Sequence, residues 1–97
     1  MNVRFNIVWT EPGPRQRLLS HARIETRVST DLPWTTIGVI SYPNTDLLEQ
    51  DVLPGTHFYR AVVVDVADVE SLNPLQASIE IPFDPPSDLA EFTVTLE

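Results

Sequence analysis

Two histidines are the residues of this chain best suited to acid–base chemistry, and His21 and His57 are its only imidazoles. Ser20 directly precedes His21, so a hydroxyl and a possible base are adjacent. Nucleophilic catalysis also needs an orienting group, and the Gly-x-Ser-x-Gly context that presents a catalytic serine is absent. We therefore predict no catalytic residue and no enzyme activity, and we expect one histidine in a loop and one at the start of a strand.

The acidic series Asp65, Asp68 and Glu70 has the carboxylates of a calcium-binding loop but lacks the glycine that such a loop usually contains. Calcium takes six or more oxygen ligands, usually around a glycine that lets the chain wrap, and this stretch has no glycine. The chain also lacks cysteine and any phosphate-binding glycine motif. The sequence therefore predicts a solvated loop here, with no metal and no cofactor.

The charge is strongly acidic and unevenly distributed. The formal net charge is −8, which argues against nucleic acid or an anionic membrane surface as a partner. Five of the six arginines lie within residues 1–27, and the chain has no lysine. No apolar run is long enough to span a membrane, and the N-terminus lacks the layout of a signal peptide. Either export by that route is not used, or the signal lies outside the chain.

Alternation of apolar and polar residues predicts an all-β chain with no helix. Nine prolines and three glycines divide its 97 residues, which suffice for one domain, into short pieces. Seven strands are predicted, over residues 2–9, 23–28, 34–40, 46–52, 57–66, 77–81 and 91–97. Seven short strands at this spacing indicate a β-sandwich over residues 1–83. Residues 84–97 then form a Pro-containing turn and a C-terminal strand.

Four segments resemble bacterial and phage fibronectin type III modules. They are the Ser-Thr-Asp turn and Trp-Thr-Thr-Ile strand of residues 29–39, the residues 45–55, the Pro-Gly-Thr run of residues 54–65, and Trp9 followed by Pro12. The resemblance implies an immunoglobulin-like sandwich of fibronectin type III topology. His57 stands where the family has the aromatic residue of its tyrosine corner, so the corner is either missing or carried by Tyr59.

The resemblance also implies that the module is shifted by one strand. The family's second strand already begins at Asn2, which leaves no room for its first strand, A. Residues 85–95 look like that strand placed at the C-terminus instead. The segment could pair beside the preceding strand, be donated to another chain, fill the gap in its own chain, or remain a free tail.

The inward and outward faces follow from the alternation. The predicted core comprises Phe5, Ile7, Trp9, Ile24, Val28, Ile37, Leu47, Val52, Tyr59, Ala61, Val63, Ile79 and Ile81. An outward apolar stripe then indicates either an interface or a face covered by Arg23, Arg27 and Arg60. The candidate interface residues are Phe58, Val62 and Val64 on this stripe and Phe92, Val94 and Leu96 in the last strand.

These features favour a structural or protein-interaction module. The resemblance implies a virion accessory protein, such as a capsid decoration or tail component, located in the virion. The alternative is a spacer or adhesion module of a larger bacterial surface or secreted protein, located outside the cell. The expected partners are virion proteins or copies of the chain itself, with homo-oligomers formed by strand exchange.

Overall fold

The computed structural model describes residues 1–97 and contains only β-structure. Alternating apolar and polar residues form each strand, and prolines or tight turns separate them. The six strands are β1 (Val3–Asn6), β2 (Leu19–Arg27), β3 (Thr35–Ser41), β4 (Asp46–Glu49), β5 (Gly55–Asp65) and β6 (Leu75–Ile81). They match the first six predicted strands, with shifted bounds, whereas the seventh predicted strand is not formed within the single chain.

The strands form two antiparallel sheets, one of two strands and one of four. Strand β1 pairs with β4, and the larger sheet has the order β3-β2-β5-β6. The arrangement is consistent with a β-sandwich. A register shift between Ile24 and Glu25 interrupts the pairing of β2 with β3, and another between Leu19 and His21 interrupts its pairing with β5.

A small core lies between the sheets at the end where β1 begins. Val3, Val52, Tyr59 and Ile81 are buried there, and the Phe5 ring meets the Tyr59 ring edge-on at 4.7 Å between centroids. Only ten residues of the chain are buried, so much of the inward face is left uncovered.

The predicted core is partly right. Ile24, Val52, Tyr59 and Ile81 are buried, and Phe5, Ile7, Trp9, Ile37, Leu47, Ala61 and Val63 are half-buried. Val28 and Ile79 are exposed, because Val28 follows the end of β2 and Ile79 lies on the uncovered edge strand β6. The buried residues Val3, Ala22, Ile40, Val62 and Val64 were not in the predicted core.

One long side of the sandwich is closed. Strand β4 lies against β3, where a Cβ atom added to Gly38 would come within 2.7 Å of a Leu47 methyl group. On the other long side no Cα atom of β1 lies within 8 Å of a Cα atom of β6. The two sheets are therefore joined along one side only.

Candidate functional site

A groove of about 1150 Å³ runs along the side where the two sheets are not joined. Residues 4–10 of β1 and its extension form one wall, and residues 71–77 before and within β6 form the other. Ala22, Ile24 and Val63 line its floor, so the floor is apolar. We call this feature the β1 groove. It is larger than the roughly 300–1,000 Å³ typical of small-molecule pockets.

The edge of β1 facing the β1 groove has unpaired backbone groups. Ile7 N–H donates to Thr45 O across the pair with β4, and Val52 N–H donates to Met1 O. Because successive residues of a strand point their backbone groups to opposite sides, Arg4 and Asn6 direct theirs away from β4. No strand pairs with β1 on that side. Such an edge is a template for adding another strand.

Apolar side chains lie exposed along the wall formed by β6. Leu75 pairs with Ala61, and Ala77 pairs with the buried Tyr59, so both point toward the inward face. Nevertheless Leu75 is 83% exposed and Ile79 is 42% exposed. Covering an aliphatic side chain of this size is worth about 1.5–3 kcal/mol. Covering the inward face of the larger sheet would therefore lower the free energy of the protein.

Arginines mark the end of the β1 groove farthest from the start of β1. Arg15 and Arg17 line this end together with Trp9. Arg17 lies 3.8 Å from the Asp65 carboxylate, and Arg15 makes no ion pair. The Trp9 ring is half-buried rather than central in the core, and its Nε1 donates to Asn44 O at 2.7 Å. Asp65 and Glu70 line the same end, so it carries two acids beside the two arginines, and Arg15 is the arginine there without an acidic partner.

The C-terminal segment, residues 84–97, pairs with no strand of its own chain. Phe92, Val94 and Leu96 are 79%, 83% and 101% exposed. The protein measures 85 Å along its longest axis against 27 and 15 Å across it. Neither the hairpin with β6 nor filling of the groove by its own segment occurs in this structure. The three predicted interface residues of the segment are exposed, and their role as an interface stays a prediction.

The outward face of the larger sheet carries a network of charged side chains, which we call the Glu25 network. Glu25 is only 6% exposed, and its carboxylate accepts from Arg60 Nε at 2.6 Å and from Arg23 Nε at 3.2 Å. Arg23 also reaches Glu70 at 2.6 Å. The alternation of Arg23 and Glu25 was visible in the sequence, but Arg60 joins them only through the register of β2 with β5.

The Glu25 network lies over the outward apolar stripe. Val62 pairs with Arg23 across the strands and is 2% exposed, and Val64 is 3% exposed. The chain after β5 folds back beside Val64, with Ser71 N–H donating to Val63 O. Of the two interpretations of this stripe, coverage by long side chains matches the structure. Phe58 is half-buried, and an interface at these three residues stays a prediction.

Trp34 extends the same covered face. The guanidinium groups of Arg27 and Arg60 lie 4.1 and 4.8 Å from the centre of its ring, in positions for cation–π attraction. The Trp34 ring is half-buried beneath them. The apolar side chains of the outward face are therefore already covered by residues of the same chain, whereas those of the β1 groove are not.

The histidines are held by local contacts. Ser20 Oγ and His21 Nδ1 lie 2.9 Å apart, but the pair sits in β2 rather than in the predicted loop, and no carboxylate is hydrogen-bonded to the ring. His57 lies near the start of β5 as expected, as its third residue, and its Nε2 lies 2.7 Å from Leu53 O. The structure thus shows the Ser–His contact without a group that would orient the imidazole.

The predicted acidic loop uses its carboxylates internally. Asp65 accepts hydrogen bonds from the backbone N–H groups of Val69 and Ala67, which together with nearby Arg17 hold its pKa below the ordinary value. Glu70 bonds Arg23 instead. No group of three or more histidine or acidic side chains converges on one point.

Tyr59 is the buried residue whose ionisation differs most from that of a free side chain. Its hydroxyl has no hydrogen-bond partner, and Glu49 is the acid whose charge acts on it. Burial, reinforced by the negative charge of Glu49, raises the pKa of Tyr59 to about 12. Burial therefore disfavours the tyrosinate in the folded state relative to the unfolded chain.

We expect Tyr59→Phe to remove a loss of stability at alkaline pH. The unfolded tyrosine ionises near pH 10, so parent stability is unaffected below that pH and falls by about 1.4 kcal/mol per unit from pH 10 to 12. The chain has no lysine or cysteine, which leaves Tyr42 as the only other side chain titrating there. Urea unfolding at several pH values should show the loss in the parent and in Tyr42→Phe. In Tyr59→Phe only the smaller contribution of Tyr42 should remain, since the charge of Glu11 also raises the pKa of Tyr42. An equal loss in all three would contradict the role given to Tyr59.

Comparisons with protein-family models, with curated proteins and with solved structures find no match for this chain. The structure contains no helix that could cross a membrane.

Proposed function

We propose that this chain is a non-enzymatic structural and protein-interaction module that binds partners by accepting a β-strand along the β1 groove. One observation carries the proposal: the sandwich has an unpaired edge at β1 beside an uncovered apolar face. Strand addition at such an edge gives affinity through backbone hydrogen bonds and specificity through alternate side chains. An exposed edge and face of this kind also invite indiscriminate association unless a partner covers them.

The pairing of strands supports a fibronectin type III topology that lacks its first strand. If β1 to β6 correspond to the family's strands B, C, C′, E, F and G, strand A would pair with the free edge of β1. The contact between His57 and Leu53 O supports the same assignment. A tyrosine corner links a side chain near the start of strand F to backbone a few residues upstream, and here histidine makes that link. The Tyr59 hydroxyl makes no such bond.

A virion is the proposed setting, as a capsid decoration or tail component. Support comes from the resemblance of residues 2–82 to modules that occur on phage surfaces. Intact particles should be purified from cells that express the chain from its own genome, and their proteins should be identified by mass spectrometry. We expect the chain in the particles at a fixed ratio to the major structural proteins, and capsid or tail genes beside its own.

Recovery of the chain only from cell-surface or secreted fractions would overturn the virion setting. That result would favour the spacer or adhesion module of a larger surface protein instead. The strand-accepting groove is tested separately by the association experiments described next, so the two proposals can fail independently.

A further inference from the structure

We propose that the β1 groove binds the C-terminal segment of a second copy of this chain, so that copies join through an exchanged β-strand. The inference deepens the proposed function, because it names the partner of the groove. Four properties of the segment carry it: its apolar alternation, its free backbone donors and acceptors, its charge and the direction in which it can enter.

The alternation of the segment matches the shape of the groove. Phe92, Val94 and Leu96 fall on one face of an extended strand, and Thr93 and Thr95 fall on the other. All three apolar side chains are at least 79% exposed in the single chain. Facing the apolar floor, they would cover it while the threonines remained in solvent.

The backbone of the segment complements the edge of β1. Arg4 and Asn6 direct their N–H and C=O groups toward the groove, where β1 has no partner strand. The segment from Glu91 to Glu97 contains no proline, so each of its residues has both a donor and an acceptor. The prolines nearest to it, Pro85 and Pro86, precede the part that would pair.

The charges favour an antiparallel entry. Residues 84–97 carry four acidic residues and no basic one. In an antiparallel pair with β1, Asp88 and Glu91 would lie at the groove end that holds Arg15 and Arg17. Asp65 and Glu70 at this end are already engaged by backbone N–H groups, Arg17 and Arg23, so Arg15 is the cation left for an incoming acid. The acidic segment thus complements Arg15, the arginine of the groove that has no acidic partner.

The direction of the chain selects a second copy over the same chain. β6 ends at Ile81, which packs with Val3 at the start of β1. An antiparallel strand must begin at the opposite end, so the chain's own segment would first have to run back along the whole sandwich. In the structure the segment instead extends away from it. A segment from another copy can enter the groove from the opposite end directly, without running back along the sandwich.

The test uses full-length chains with either the donated strand or the acceptor groove disabled. The donor-defective variant is Phe92→Asn with Val94→Asn, and its control is Thr93→Asn with Thr95→Asn on the opposite face. The acceptor-defective variant is Leu75→Asp with Ala77→Asp. Its control, Ser41→Asp with Ser78→Asp, adds the same charge to the outward face. All these positions are exposed, so folding should survive, and circular dichroism checks that it does.

Analytical ultracentrifugation over a concentration series should give masses above one chain for the parent and both controls. The two defective variants should each remain single chains. Mixing them should restore association that stops at two chains, because the mixture contains one working groove and one working segment per pair. In the parent, a dimer in which two chains exchange segments and a larger oligomer in which each chain donates to the next would both support the proposal.

A parent that stays a single chain at every concentration would overturn strand exchange between copies, since its own segment would then be filling the groove or remaining unbound. Defective variants that associate like the parent would also overturn it. Either result would leave open whether particles contain the chain, so failure here is distinguishable from failure of the proposed function. If the acceptor-defective variant is unfolded, a peptide of residues 84–97 is added to the donor-defective variant, whose groove is intact, and absence of binding overturns the proposal. If the donor-defective variant is unfolded, the peptide is added to the parent, and failure to bind or to compete with association overturns it.

Discussion

Glu25→Ala should lower the free energy of unfolding by about 3 kcal/mol, the low end of the range for breaking a buried ion pair. The substitution leaves Arg23 and Arg60 facing each other without the acid that both contact. Their side chains are 26% and 28% exposed, so water relieves part of the cost. Val62 beneath them also loses part of its cover. Urea unfolding at neutral pH measures the change.

Glu80→Ala is the matched control for that measurement. Glu80 is an exposed acid on β6 that makes no ion pair, so its removal changes the net charge equally and should alter stability by no more than about 0.5 kcal/mol. In a double-mutant cycle, Glu25→Ala and Arg60→Ala should be coupled by about 1–3 kcal/mol. Equal effects at positions 25 and 80 would show that the Glu25 network contributes only net charge.

Ile40→Ala should cost about 2–5 kcal/mol, a large part of the stability of a domain this small. Ile40 is 2% exposed and pairs with Ala22 on the inward face of the larger sheet. Because Ala22 is itself small, the neighbouring side chains have little capacity to fill the space left behind. Thermal and urea unfolding should both report the loss.

Val39→Ala provides the comparison for Ile40→Ala. Val39 is the preceding residue of β3, points to the opposite face and is 46% exposed. Its truncation should cost less than about 1 kcal/mol. If the two variants were equally destabilised, the inward and outward faces of β3 would be assigned in the wrong register.

Strand positions could be predicted where apolar and polar residues alternate regularly. The predicted bounds are least accurate near register shifts and strand ends. The run ending in Val62-Val63-Val64 marks β5 clearly, and Tyr59 was correctly placed inside. The sequence predicts Ser20 and His21 in a loop, whereas the structure includes both in β2, where the pairing with β5 shifts register between Leu19 and His21. The alternation continues one residue past the end of β2 and therefore predicts Val28 in the core, where the structure does not place it.

Contacts between residues far apart in the chain could not be predicted from the sequence. The Glu25 network needs the register that brings Arg60 opposite Glu25, and residue types alone do not fix that register. The burial of Val62 depends on the same arrangement. Similarly, the alternation in Phe92, Val94 and Leu96 shows which face a strand would bury, whereas the strand it pairs with depends on which edge is free.

Amide hydrogen exchange at β1 tests the central claim most directly, because it reports on the edge that is proposed to accept a strand. At concentrations where the parent associates, the amides of Arg4 and Asn6 should be protected together with alternate amides of residues 91–97. In Phe92→Asn with Val94→Asn, the same amides should exchange rapidly while those of β5 stay protected. Association of the parent with freely exchanging Arg4 and Asn6 amides would contradict the account, since another surface would then join the chains.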